Sequence, residues 1–364
     1  MQNTWNNNPF LHLDKPLLIG ILLLSGMGLI VLYSAGDQNF DLIVRQMLRL
    51  LTGFGIMLVL AQISIQHIVR WIPWLYLMGV ILLVLVLVIG EVSKGSQRWL
   101  NLGLFRFQPS EMMKLIVPMM VTWYLADRHL PPSYGRLLLA TVIIAIPALL
   151  VAKEPDLGTA LLIGSSGVFV LLLAGLSWRF VSGFVATGIL CTPILWYLMH
   201  PYQKERVLTL LNPEKNPLGA GYHIIQSKIA IGSGGLDGKG WLNGTQSHLQ
   251  FLPERTTDFI FAVYSEEFGL LGVLVLLGIY FFILSRGMVI ALQAQDTFTR
   301  LLAGSLVLTF FVYIFVNMGM VSGILPVVGL PLPLISYGGT SIVTLMAGFG
   351  LLMAIHTHRR LLSN

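Results

Sequence analysis

The chain has 364 residues, 55% of them hydrophobic and only 10% charged, with a mean hydropathy of +0.80. Soluble domains carry about 25% charged residues, so a water-soluble protein is excluded. The formal charge of +6 gives no reason to expect nucleic acid, and a single cysteine, Cys191, allows no intramolecular disulfide.

Apolar runs long enough for a bilayer fall at 17–34, 44–62, 72–90, 110–126, 137–152, 158–175, 180–199, 258–285, 301–320 and 338–355. The pattern predicts an all-α polytopic membrane protein of ten transmembrane helices, one domain over 1–364. The first run has no convincing small-residue cleavage site after it and reads as a retained helix. Ten spans place both termini on one side. The connections on that side carry nine cations and three acids, and the other side carries thirteen of each. A count of cations alone favours the opposite orientation. Six of those thirteen cations, however, lie in the long loop 200–257, and long segments translocate largely regardless of charge. We therefore expect cytoplasmic termini, with that loop between spans seven and eight outside the cell.

The outer connections hold the chemistry. In EVSKGSQRWLNLGLFRFQ, Lys94, Arg98, Trp99 and Arg106 suit interfacial anchoring, and Arg98 equally suits a diphosphate, which a guanidinium binds in bidentate fashion. The fourth span opens QPSE, with Ser110 placed as a cap. Glu111 and Lys114 are spaced i,i+3 to pair on one face, either for helix stability or to orient a substrate. In KEPDLG, Pro155 sets a turn and Asp156 is placed to cap the sixth helix.

In the long loop, YHIIQSKIAI has helical apolar spacing and is expected to lie along the membrane surface. The following GSGGLDGKGW fits neither phosphate-binding glycine pattern: Ser233 and Gly240 break one, Asp237 the other. It reads as backbone flexibility or an anion nest. Asp258 stands where PERTTD enters the eighth span. It is either an acid favoured by the helix dipole or a proton acceptor at the edge of the bilayer. Glu266 and Glu267 follow inside the same span. Both cannot face lipid, so a polar interior is expected. His356 and His358, two residues apart, do not form a metal pair. A divalent cation, Mg or Mn, is compatible with the outer acids, but no residue set assigns one.

From Asn317 to Ser341 the pattern becomes specific: Asn317, Gly323-Ile324, Pro326, Gly329-Leu330 and LISYGGTS. With KGSQRW, FQPSE, EPDLGT, NPLGAGYHIIQSKIAIGSGG and LPERTTDFIFA, in order along nearly the whole chain, it resembles the SEDS family (shape, elongation, division and sporulation). YHIIQSKIAIGSGGLDGKGWLNGTQSHLQFLPE is closer to the rod-shape branch than to the divisional one. The resemblance implies a ten-span glycosyltransferase of the bacterial cytoplasmic (inner) membrane, acting in cell elongation. It would polymerise lipid II, a disaccharide peptide on undecaprenyl diphosphate, into β-1,4 glycan on the outer face.

The resemblance also implies Asp258 as the catalytic residue, with Arg98, Glu111, Lys114, Asp156, Arg206, Gln226, Ser227 and Lys228 around a central cavity. The implied partner, besides membrane lipids, is a class B penicillin-binding protein, the crosslinking transpeptidase, held at spans eight and nine. The α-linked donor and β-linked product call for one inversion. A lipid II flippase and a non-catalytic scaffold for the transpeptidase are the rival readings.

Overall fold

The computed structural model describes residues 12–93, 96–101, 106–176, 201–215, 220–248 and 254–357, with Leu252 and isolated residues between 182 and 199. Most of the run predicted as the seventh span, 180–199, lies outside the described residues. The helices are α1 (Lys15–Ala35), α2 (Phe40–Gln62), α3 (Ile65–Ile89), α4 (Pro109–Ala126), α5 (Tyr134–Lys153) and α6 (Leu157–Leu173). They continue as α7 (Pro201–Leu211), α8 (Ala220–Ser233), α9 (Thr245–His248), α10 (Ile260–Leu292), α11 (Thr297–Val321) and α12 (Thr340–Thr357). Among the described residues, seven helices (α1, α2, α3, α5, α10, α11 and α12) are long and apolar enough to cross a membrane, and α6 is a shorter apolar helix.

Local chemistry sets several helix starts. Asp14, Asn39, Asp156 and Asp296 each accept a hydrogen bond from the backbone N–H three residues on, which satisfies one of the open donors of a first turn. The expectation for Ser110 is corrected. Helix α4 begins at Pro109, which has no N–H to satisfy, so Gln108 is the N-cap and Ser110 is already inside the helix. The all-helical reading gains a small addition, three short antiparallel strands in the order β1 (Glu91–Ser93), β2 (Ser96–Asn101), β3 (Arg106–Phe107) between α3 and α4.

Helices α11 and α12 form the centre, with 67% of each spanning window buried, against 22% for α3, α5 and α10 at the periphery. One apolar core joins α1, α2, α10, α11 and α12, and a second joins α3 to α6. The segment between α11 and α12 turns inward, so that Leu330, Leu332, Leu334 and Ile335 are buried. Non-helical backbone at this depth must be satisfied by protein. Here Asn317 Nδ2 donates to Leu330 O at 2.6 Å, Tyr280 Oη to Pro333 O at 2.8 Å and Gln46 Nε2 to Ser336 O at 3.1 Å.

Helix α10 is broken at Gly269, whose φ of 62° and ψ of −163° are not helical. The break leaves backbone groups open at bilayer depth, and the glycine-rich turn after α8 satisfies them. Lys239 N and Gly240 N donate to Glu266 O and Glu267 O at 3.0 and 2.9 Å. In return, Leu270 N and Leu271 N donate to Gly235 O and Leu236 O at 3.0 and 3.1 Å. The glycines therefore serve neither flexibility nor an anion. They allow one backbone to lie on another, since a Cβ at Gly234 or Gly238 would overlap the Ser265 or Glu267 carbonyl oxygen. The surface-lying reading of YHIIQSKIAI is corrected as well. Helix α8 packs on α10 and α11 with Ile224, Ser227 and Ala230 buried, so its apolar face meets protein.

Candidate active site

At the end of the molecule where α1 finishes, the N-termini of α4, α6 and α10 converge with the inward-turning segment. Helix α6 is fixed by Asp156, whose carboxylate accepts from Thr159 N at 3.1 Å and Thr159 Oγ at 3.0 Å. The same carboxylate faces Arg98 Nη1 at 3.4 Å and the Gln108 amide at 3.4 Å. Arg98 also donates to Pro155 O at 3.0 Å. The strand carrying Arg98 is thus tied to the starts of both α4 and α6. Capping and site building use one carboxylate.

One turn into α4, Lys114 is 2% exposed and donates to Glu111 Oε1 at 2.6 Å and to the Tyr313 hydroxyl of α11. An ammonium at this depth needs such partners, because an isolated charge in a low-dielectric interior is strongly disfavoured. Glu111 Oε2 is buried without a hydrogen-bond partner. With the ammonium's third N–H, it leaves one acceptor and one donor for a substrate. Tyr313 was not singled out in the sequence, although a tyrosine in a run of Phe, Val and Ile is the kind of partner that a buried lysine requires.

Asp258 is two residues ahead of α10, and Phe259 rather than Asp258 occupies its N-cap. The loop holding it is bonded to the segment between α11 and α12: Tyr337 N donates to Thr256 O at 2.8 Å and Ser336 Oγ to Thr257 O at 2.5 Å. Asn317 Nδ2 reaches Asp258 O at 3.0 Å as well as Leu330 O. The half-buried carboxylate faces Gly329, where an added Cβ would stand 3.4 Å from Asp258 Oδ2. Gly158 of α6 approaches the same segment from the other side, at Val328 O. Tyr313, which holds Lys114, and Asn317, which holds the Asp258 backbone, are four apart on α11. Neighbours at that spacing stack on one face about one 5.4 Å turn apart. Helix α11 is the ruler of the site.

The remaining expected residues lie on the loop helices. Ser227 is buried, its hydroxyl donating to Val321 O at 2.8 Å and to Ile224 O at 3.0 Å. Lys228 is an exposed residue whose Cε and Nζ lie beside Gly323, Gln226 is half-buried on the same helix, and Arg206 is half-buried on α7, which packs on α8. At this end of the molecule, His223 and Glu154 are perturbed ionisable groups outside the spans. Burial lowers the His223 imidazole, opposed by the charge of Glu254, and its ring stacks on Phe259 at 5.6 Å. Glu154, in the turn before α6, is pushed up to about 8 by burial and by neighbouring Asp156, with Arg98 opposing.

Both Glu154 carboxyl oxygens are buried without a hydrogen-bond partner. The folded protein thus holds this proton up to about pH 8, while an unfolded chain releases it near 4.3. Between these limits the native state binds more protons, so stability falls as pH rises. Glu154→Gln, which keeps the neutral form, should flatten the decline in thermal midpoint between pH 5 and 8, raising the midpoint most at pH 8. A parallel decline in both proteins would refute this.

The multi-pass fold thus gathers buried carboxylates, an ammonium and a guanidinium at one end, a charged candidate site within an apolar bundle. Comparison with known proteins gives the family. A model described as "Cell cycle protein", covering FtsW, RodA and SpoVE, matches residues 10–361; the chain belongs to this family. It is 55% identical over 353 residues to the peptidoglycan glycosyltransferase MrdB of Escherichia coli K12, covering 97% of this chain and 95% of that protein. A probable peptidoglycan glycosyltransferase FtsW of Trichlorobacter lovleyi is 38% identical, over 94% and 92% of the two chains.

Among solved structures, a chain described under "Structural coordination of polymerization and crosslinking by a peptidoglycan synthase complex" superposes with a TM-score of 0.84. It is 32% identical, with 95% of this chain and 99% of that one covered. The rod shape determining protein RodA of Thermus thermophilus gives 0.73 at 27% identity, covering 95% and 98%.

Proposed function

We infer that the chain is a peptidoglycan glycosyltransferase of the rod-shape type, and we propose how its residues carry out the transfer. The observation that carries the proposal is the pairing of Tyr313 with Lys114 and of Asn317 with Asp258 on adjacent turns of α11. It supports a reading in which one helix holds the Asp258 backbone and the Lys114 ammonium from adjacent turns.

In this reading the donor is a glycan on undecaprenyl diphosphate and the acceptor is a sugar hydroxyl of lipid II. Asp258 takes the acceptor proton as the oxygen attacks the anomeric carbon. The bond to the diphosphate breaks on the opposite face, inverting the α-linkage to β, as inverting glycosidases do with water. Lys114 and Arg98 offset the charge that develops on the leaving diphosphate, and Arg206 and Lys228 extend the cationic lining. Glu111 and Tyr313 orient Lys114. Asp156 orients Arg98, and Gln226 and Ser227 position α8 beside the substrate. Among the described residues no three His, Cys, Asp or Glu side chains come together as a metal site. No residue is assigned to a divalent ion, and no step here depends on one.

We read α4, α6 and the run 180–199 as the three spans that complete ten, with the site outside the cytoplasmic membrane and both termini inside. A class B penicillin-binding protein would lie along α10, where Leu270, Leu271, Leu274 and Phe281 present exposed apolar side chains, and α11, where Phe311 and Phe315 do. The test is glycan formation from lipid II by the purified protein in vesicles, with and without the transpeptidase and with and without Mg or Mn. Polymer of β-1,4-linked glycan is expected. Movement of lipid II across the vesicle with no polymer would overturn the reading in favour of a flippase.

A further inference from the structure

Glu266 and Glu267 are among the buried carboxylates that take no part in the transfer as drawn, and Glu266 occupies an unusual position. Glu266 is fully buried in α10, three residues before the break at Gly269. Its carboxylate receives Lys239 Nζ at 2.7 Å, Thr245 Oγ at 3.0 Å and Gln246 N at 3.0 Å, all from the glycine-rich turn and the short helix after it. Ser233 Oγ, at the end of α8, is 3.4 Å away. The turn thus grips α10 twice, through the four backbone bonds across the break and through this one carboxylate.

That grip joins the bonds from Tyr337, Ser336 and Asn317 in holding what lies upstream of the break. The segment Ile260–Phe268 is only nine residues long, and a helix of this length has little stability of its own. Every residue from Ile260 to Glu267 is buried, so its rotation and depth are set by what surrounds it. Asp258 precedes it by two residues. An error of about 1 Å in the placement of a reacting group lowers a rate by about a hundredfold.

We propose that Glu266, clasped by Lys239, Thr245 and Gln246, is a positioning residue for the transferase: it fixes the half-helix Ile260–Phe268, and through it Asp258, against the lever of a broken span. The catalytic part of this inference rests on the reading of Asp258 as the base. The clasp acts on geometry, not on substrate binding, so it governs kcat and leaves KM in place.

The test compares Glu266→Gln and Lys239→Met with the parent protein, each purified with its transpeptidase in vesicles. Lys239 is at the partly exposed rim and its change spares every backbone bond, so this variant remains informative if the buried Glu266→Gln fails to fold. Polymerisation of lipid II is measured well below the thermal midpoints. In parallel, spin labels at Thr257→Cys and Ile324→Cys, with Cys191→Ser to remove the native thiol, report the distance from the Asp258 loop to the facing segment. A kcat lowered about tenfold or more, KM within twofold and a broadened distance distribution are expected in both variants. Unchanged kcat, or a narrow unchanged distance, overturns the proposal. The distance readout does not require Asp258 to be the base, so it separates failure of this inference from failure of the mechanism.

Discussion

Asp258→Asn is expected to lower the rate of glycan polymerisation by about 10²–10⁴, the usual contribution of a positioned general base, or about 3–5 kcal/mol of barrier at 1.36 kcal/mol per tenfold. Asparagine has the shape of aspartate and so keeps the approach to Gly329. The bond from Asn317 goes to the main-chain oxygen of residue 258 and is unaffected by the change. Insertion, thermal midpoint and binding of the transpeptidase are therefore expected to stay at parental values while polymer disappears. Normal polymerisation by the purified variant would remove Asp258 from the chemistry.

Gly269→Ala has the largest expected effect on folding. At φ 62° and ψ −163° the backbone is in a region essentially restricted to glycine, where another residue costs about 1–3 kcal/mol. A Cβ there would also press on the backbone of Leu236, Asp237 and Gly238, and overpacking of a closed site adds about 1–3 kcal/mol. The sum, roughly 2–6 kcal/mol, is a large share of the 5–15 kcal/mol by which proteins are stable. The variant is expected to lose its monodisperse peak in detergent or to melt far below the parent. A parental melting curve would show that the break closes into a continuous helix at little cost.

The two predictions also mark where sequence reading succeeded and stopped. Long apolar runs revealed the helices because a bilayer imposes length and composition on each span separately. The i,i+3 spacing of Glu111 and Lys114 and the turn position of Asp156 were legible for the same reason, since those contacts are local. Contacts across the chain were not. The glycines at 234, 235 and 238 are read as flexible until Glu266, Glu267, Leu270 and Leu271 are seen to need backbone partners. Tyr313 has no mark of function until Lys114 is found beside it, 199 positions away in sequence. Asp258 stood out at the edge of the eighth span but was ambiguous by local chemistry, and the order of motifs along the whole chain is what favoured a catalytic reading.

The first helix has a bearing on how the protein is made. At one end of α1, Asp14 is bound by Arg286 at 2.6 Å and by His356, and near the other end the Ser34 hydroxyl donates to Glu267. Arg286 follows Asp14 by 272 positions. At about 5–20 residues per second of synthesis, α1 spends roughly 14–54 s in the bilayer before that partner exists. During that interval Asp14 has its local bond from Leu17 N but not its ion pair. Among the described spanning helices, α1 is made first and is among the last to reach its final contacts.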